Sequence, residues 1–245
     1  MVFVMNDEVF TFILVGLSVF VGAIAQGAIG FGMGLVAAPV ITMLNPSVMP
    51  GAIQVVNFTL PLFTLAAEWR RVDWRGLGFA VLGRIPGSFL GGLVVVYVST
   101  RALGVLVGAM VLIAVGLTAW AVAVPRNGWT LTGAGFVSGI TGTATGIGGP
   151  PMGLVYQNAK GPQIRATLAM FFLLSAAQSL GILALLGKLP AQALTSGALL
   201  IPFLVVGFLA SGPLRRFLDG GRVRGAILVL AGVSALSLIA QSTWG

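Results

Sequence analysis

Two glycine-rich stretches interrupt hydrophobic runs of membrane length, one in each half of the chain. They are Gly27-Ala28-Ile29-Gly30-Phe31-Gly32-Met33-Gly34 and Gly142-Thr143-Ala144-Thr145-Gly146-Ile147-Gly148-Gly149-Pro150-Pro151. A helix in lipid can break only where its freed backbone groups line a cavity or are buried in protein. Paired breaks at matching places in two halves point to the substrate site of a transporter. Composition agrees: with 58% hydrophobic and 7% charged residues among 245, too few charges remain to cover a water-facing surface. The net charge of +8 comes from bases scattered through short loops. That distribution reads as a topology signal, not as a nucleic-acid surface.

The expected fold class is an all-α polytopic membrane protein. Hydrophobic runs fall at 8–44 (glycine-interrupted), 47–67, 76–97, 101–123, 128–158 (glycine-interrupted), 162–186, 190–210 and 222–242. The uninterrupted runs match the roughly 20 residues that a spanning helix needs. The start, with Asp7 and Glu8, lacks the basic region of a signal peptide, so the first run is expected to be retained. Shifting the chain against itself by 116 residues lays Gly30-x-Gly32 on Gly146-x-Gly148 and Pro46 on Pro162. The same shift lays Ile85-Pro86 on Ile201-Pro202 and Gly91 on Gly207. Prolines coinciding at one offset indicate a duplicated half, with repeats expected at 1–124 and 125–245.

The bases choose between two topologies. If each interrupted segment crosses once, they divide five against seven. If each enters and returns as a bent hairpin of two short helices, ten bases share one side. These are Arg70, Arg71, Arg75, Arg126, Lys160, Arg165, Arg215, Arg216, Arg222 and Arg224, leaving Arg101 and Lys188 opposite. Cytoplasmic loops are basic, so the hairpin topology is expected, with both termini outside. Each repeat is then one glycine-broken hairpin plus three transmembrane helices, and the two repeats point in opposite directions. Their breaks should meet near the midplane, which permits alternating access around a fixed site.

The chain has no His and no Cys, which removes Ser-His pairs, thiolates and the usual zinc ligands. The five acids, Asp7, Glu8, Glu68, Asp73 and Asp219, fall at expected helix ends or loops. No enzymatic activity, metal or cofactor is expected. Arg84 lies nine positions beyond Arg75, about 13 Å deep in a run whose hydrocarbon half-thickness is about 15 Å. A cation at that depth marks an anion site or an internal ion pair, unless it snorkels to the cytoplasmic interface or caps backbone carbonyls at a break. No buried carboxylate is available to it.

Gly149-Pro150-Pro151 is expected to open a short helix, because proline fits the first turn. The first stretch should restart likewise near Gly32-Met33-Gly34. Helix starts favour anions. The expected substrate-binding set is therefore Arg84, Gln26, Gly30, Gly32, Gly34, Thr143, Gly146, Gly148, Gly149 and Pro150. Asn57, Gln157 and Gln178 are expected secondary polar contacts, with inter-helix bonding the competing role for Asn57 and Gln178. Gly87-x-x-x-Gly91 and Gly104-x-x-x-Gly108 read as helix-packing motifs, and Trp69, Trp74, Trp129 and Trp244 as interfacial anchors.

The segment Gly27–Leu35 with Pro39 resembles the first signature of the sulfite exporter TauE/SafE family, and Gly142–Pro151 resembles its second. The Arg71-Val72-Asp73-Trp74-Arg75 loop fits as well. The resemblance implies a bacterial inner-membrane transporter of sulfur-containing anions such as sulfite or organosulfonates. Outward transport is the expectation. Import of the same class of anion, a passive anion channel and a ligand-free scaffold are the alternatives. Expected partners are the small anion and membrane lipid; nucleic acid is not one, and self-assembly is left open.

Overall fold

The structure, a computed structural model, describes residues 7–120, 124–218 and 222–244. All regular secondary structure among them is helical. Helix α1 spans Asp7–Ile29, α2 Met33–Leu44, α3 Gly51–Glu68, α4 Trp74–Tyr97 and α5 Thr100–Trp120. Then follow α6 Gly128–Thr145, α7 Gly149–Tyr156, α8 Gly161–Leu185, α9 Ala191–Leu199, α10 Ile201–Leu218 and α11 Arg222–Trp244. Among the described residues, five segments are long and apolar enough to cross a membrane: Glu8–Ile29, Trp74–Tyr97, Thr100–Ala119, Gly161–Leu185 and Ala191–Gly212.

Both glycine stretches break the helix where expected, and the backbone explains why. Gly30 and Gly32 have φ of 101° and 131°, a region closed to residues with a Cβ. Gly146 ends α6 in the left-handed conformation, its N–H bonded to the Gly142 carbonyl at 2.9 Å. Helix α2 restarts at Met33 behind Gly32, and α7 at Gly149 with proline in its first turn.

The hairpin arms differ from expectation in length. Helix α1 has 23 residues, about 35 Å, enough to cross alone. It is no short arm. Its internal glycines do not interrupt it because each faces a neighbour: Gly16 meets the Phe203 ring, Gly22 meets Met33, and Gly27 meets Ser211. Helix α6 has 18 residues and α7 only 8, so the second hairpin is strongly unequal. The expected seventh span, 190–210, divides at Leu200 into α9 and α10. Pro202 sits in the first turn of α10, where its missing N–H is harmless. Pro86 lies inside α4 without ending it.

Helices from opposite halves pack in pairs: α1 on α10, α4 on α6, α3 on α8 and α5 on α11. Along α4, Gly83, Gly87 and Gly91 face backbone of Thr132, Phe136 and Ile140 in turn, so α4 and α6 run parallel. Gly104 and Gly108 face Ser242 and Ile239 of α11. Such contacts suit close helix approach in lipid.

The bases are segregated. Arg75 opens α4, Arg126 precedes α6, and Lys160 and Arg165 open α8, while Arg70 and Arg71 follow α3. Arg165 makes a two-pronged bond to Glu68 at the end of α3, at 2.6 and 3.2 Å. Phe79 packs near Gly128, which brings the starts of α4 and α6 to the same end. Arg101 and Lys188 lie at the other end, where Gly92 of α4 meets Ile182 and Leu186 of α8. The side chains of Arg215, Arg216, Arg222, Arg224 and Asp219 lie outside the described residues, as do the chain termini. Helices α1 and α6 begin at opposite ends: Glu8 of α1 shares a cavity with Gln192 of α9, near Lys188.

Candidate functional site

The two breaks touch. Gly34, in the first turn of α2, lies against the Gly146 carbonyl with no room for a Cβ. Around this contact lies a cavity of about 30 Å³, measured as the space open to the centre of a water molecule. Its wall includes Gln26, Gly32, Gly34, Leu35, Gln54, Asn57, Arg84, Gly142, Gly146, Ile147, Gly148, Gly149, Pro150, Phe172, Ser175 and Ala176. Both halves therefore supply it. Elsewhere the buried apolar side chains form two main clusters, each drawing on both halves, with Phe31 packed against both.

Arg84 projects from the middle of α4 and is 2% exposed. Its Nη1 donates to the Ser138 carbonyl at 2.7 Å and to Ser138 Oγ at 3.2 Å. Its Nη2 donates to the Ser175 carbonyl at 3.3 Å and Ser179 Oγ at 3.0 Å. The guanidinium also lies over the Phe171 ring, 5.5 Å from its centre. All these partners are neutral. Among the described residues, two buried side-chain polar atoms have no hydrogen-bond partner, Arg84 Nε and Ser175 Oγ, and both residues line the cavity. An unmatched buried donor costs about 1–3 kcal/mol, more for a charged group.

Side chains from the first half fix the second break. Gln54 Nε2 donates to the Gly142 carbonyl at 2.6 Å, and Asn57 Nδ2 to the Gly146 carbonyl at 3.1 Å. Ser138 Oγ donates to the Gly148 carbonyl at 2.6 Å, so Arg84 reaches the break through Ser138. At the first break Gln26 Oε1 accepts the Met33 N–H at 3.3 Å, which ties α1 to the start of α2. Phe31 fills the space over Gly149 and Gly153 of α7.

Of the residues expected at the site, Arg84, Gln26, Gly32, Gly34, Gly146, Gly148, Gly149, Pro150 and Asn57 line the cavity. The others do not. Gly30 backs onto Arg165, and Thr143 Oγ1 shares a hydrogen bond with Ser179 Oγ at 2.8 Å. Gln178 Oε1 accepts from Ser88 Oγ at 3.3 Å, an inter-helix bond. Gln157 lies past the last residue of α7. Gln54, Ser138, Ser175, Ser179 and Phe172 were not anticipated. One signal was available: Ser175 and Ser179 are four apart, on one face of a largely apolar helix.

The sequence profile described as "Sulfite exporter TauE/SafE" matches residues 14–238. A curated protein of Cupriavidus necator, "Probable sulfite/organosulfonate exporter TauE", is 29% identical over 252 aligned residues, covering 94% of this chain and 96% of that one. No solved structure matches the chain. Both glycine breaks, the cavity between them and Arg84 fall inside the matched region, and the chain belongs to the sulfite exporter TauE/SafE family.

Proposed function

We propose that this membrane protein carries a small sulfur-containing oxyanion, sulfite or an organosulfonate, outward through the bacterial inner membrane. The observation that carries the reading is Arg84: a buried cation with only neutral partners, beside a cavity that leaves Arg84 Nε and Ser175 Oγ unmatched. A guest bearing negative oxygens supplies the missing acceptors and the missing charge. The Cupriavidus necator relative, described as a probable sulfite/organosulfonate exporter, supports this chemical class and this direction.

Alternating access between two inverted repeats is the proposed mechanism. Its support is the pairing of helices. The offset of 116 residues relates the α1–α10 pair to the α6–α4 pair, and α1 and α6 enter from opposite ends. A small cavity pinched between two breaks favours a carrier over an open channel. The basic end of the bundle is assigned to the cytoplasm and the termini to the outside. An inside-negative potential gives an anion about 2.3 kcal/mol per charge per 100 mV, roughly fiftyfold in concentration, so export runs on voltage without an obligatory proton.

The test is sulfite efflux from proteoliposomes of the purified protein, with voltage and pH gradients imposed separately. Saturable flux that follows voltage, and thermal stabilisation by sulfite or a short sulfonate, are the expected results. Flux that follows the pH gradient and ignores voltage overturns the coupling. Absence of both flux and stabilisation across the sulfur oxyanions overturns the substrate class.

A further inference from the structure

We propose that the starts of α4 and α6 form a binding site for the phosphate of an anionic phospholipid. A cavity of about 400 Å³ opens there, lined by Asp73, Arg75, Phe79, Arg126, Asn127 and Leu131 among others. It is separate from the one between the glycine breaks, and it does not depend on the transport reading. Its rim is cationic. Arg75 is exposed and makes no hydrogen bond or ion pair among the described residues. Arg126 is partly exposed and lies over the Tyr156 ring, 5.6 Å from its centre.

Asp73 offsets part of this charge without bonding either guanidinium. Its Oδ1 accepts the Gly76 N–H at 3.0 Å and its Oδ2 accepts the Tyr156 hydroxyl at 3.0 Å. The nearest Arg126 nitrogen stands 4.0 Å away, beyond hydrogen-bond range. The rim keeps a net positive charge, and neither guanidinium spends a hydrogen bond on the carboxylate.

The wall below the rim selects the kind of anion. Phe79 and Leu131 line the cavity, and Phe79 and Leu82, three residues apart on α4, are exposed at 38% and 64%. Trp74 and Trp129, exposed at 55% and 89%, adjoin the lining residues Arg75 and Gly128 in the chain, and exposed tryptophan settles between headgroups and acyl chains. A soluble oxyanion has no use for that wall. A phospholipid meets both parts, with phosphate at the arginines and acyl chain along α4. Basic pockets between membrane helices on the cytoplasmic side are suited to such headgroups.

The experiment is native mass spectrometry of the detergent-purified full chain with dioleoyl phosphatidylglycerol or dioleoyl phosphatidylcholine at equal concentration. Phosphatidylglycerol should be retained at least fivefold better. That preference should fall severalfold in Arg75→Gln, vanish in Arg75→Gln/Arg126→Gln, and persist in Arg101→Gln at the opposite end. Arg75→Gln removes an exposed, unpartnered side chain, so the test survives even if the double variant folds poorly. Equal retention in wild type and Arg75→Gln overturns the proposal. Inorganic phosphate that stabilises the protein against heat through Arg75, with no preference between the two lipids, overturns the lipid assignment and gives the site to a soluble phosphate.

Discussion

The α4–α6 seam and the α1–α10 seam are the proposed counterparts of each other, yet they are built to different ends. In the first, glycines of both helices rest on opposing backbone: Gly83 and Gly87 on Thr132 and Phe136, Gly135 and Gly139 on Ala80 and Arg84. In the second, Gly16 and Gly27 face side chains, the Phe203 ring and Ser211, and only Gly207 meets backbone, at Phe20. The position that matches Arg84 at the repeat offset (84 + 116 = 200) is Leu200, also buried at 2% exposure. A similar crossing therefore forms with or without a cation. The tight, charged seam borders the cavity, and the looser, apolar one shows what the frame alone requires.

The largest effect should come from erasing the difference. Arg84→Leu makes the first seam resemble the second. It removes at least one charge-assisted bond to the anion, each about 1.5–3 kcal/mol, together with the site's central charge. Sulfite affinity by thermal shift should fall at least thirtyfold, and efflux should become undetectable. The midpoint of heat unfolding should move by only a few degrees, because the guanidinium's desolvation penalty disappears along with its hydrogen bonds. Retained transport would mean that Arg84 serves the frame alone.

Next in size is the backbone contrast. Gly87→Ala drives a methyl into the Phe136 carbonyl, whereas Gly16→Ala meets the edge of a phenyl ring that can turn aside. Overpacking of the first kind costs about 1–3 kcal/mol. Heat unfolding should show Gly87→Ala clearly destabilised and Gly16→Ala affected less than half as much. Equal losses would remove the distinction between the seams.

Gln54→Leu probes the tie between the halves. It withdraws the donor from the Gly142 carbonyl, which keeps its bond from the Gly146 N–H. Anion affinity should drop about fivefold, in line with the roughly 1 kcal/mol of one hydrogen bond, with expression unchanged. The smallest effect belongs to Glu68→Gln, which weakens the partly exposed pair with Arg165 away from both seams. Unfolding should shift by about 1 kcal/mol or less, and affinity should not move.

What could be read from the residues was what local chemistry dictates. Glycine at positive φ and proline in a first turn act within a few bonds, so the breaks at Gly30–Gly32 and Gly146–Gly148 and the restarts at Met33 and Gly149 were legible. Arg84 was legible because a charge in an apolar run is anomalous by itself. Its partners were not: Ser138, Ser175 and Ser179 lie 54 to 95 residues away, and only the packing of α4, α6 and α8 gathers them. Gln54 looked like any polar residue near a helix start until Gly142 was placed opposite. The length of α1 escaped because internal glycines promise flexibility in sequence, and only the faces of α10 and α2 show that they are packing sites. The chain divides at Leu200 between α9 and α10 while α4 runs unbroken through the matched Arg84, a contrast that local propensity does not supply.

The double proline at the start of α7 bears on turnover. Of the four amide positions that open a helix, those of Pro150 and Pro151 have no hydrogen to give. For the proposed oxyanion that start would be a half-strength cradle, and each missing charge-assisted bond, at about 1.5 kcal/mol or more, would speed its departure by about tenfold. A sensor would profit from the deeper well. A shuttle that must let go on every cycle is better served by a shallow one.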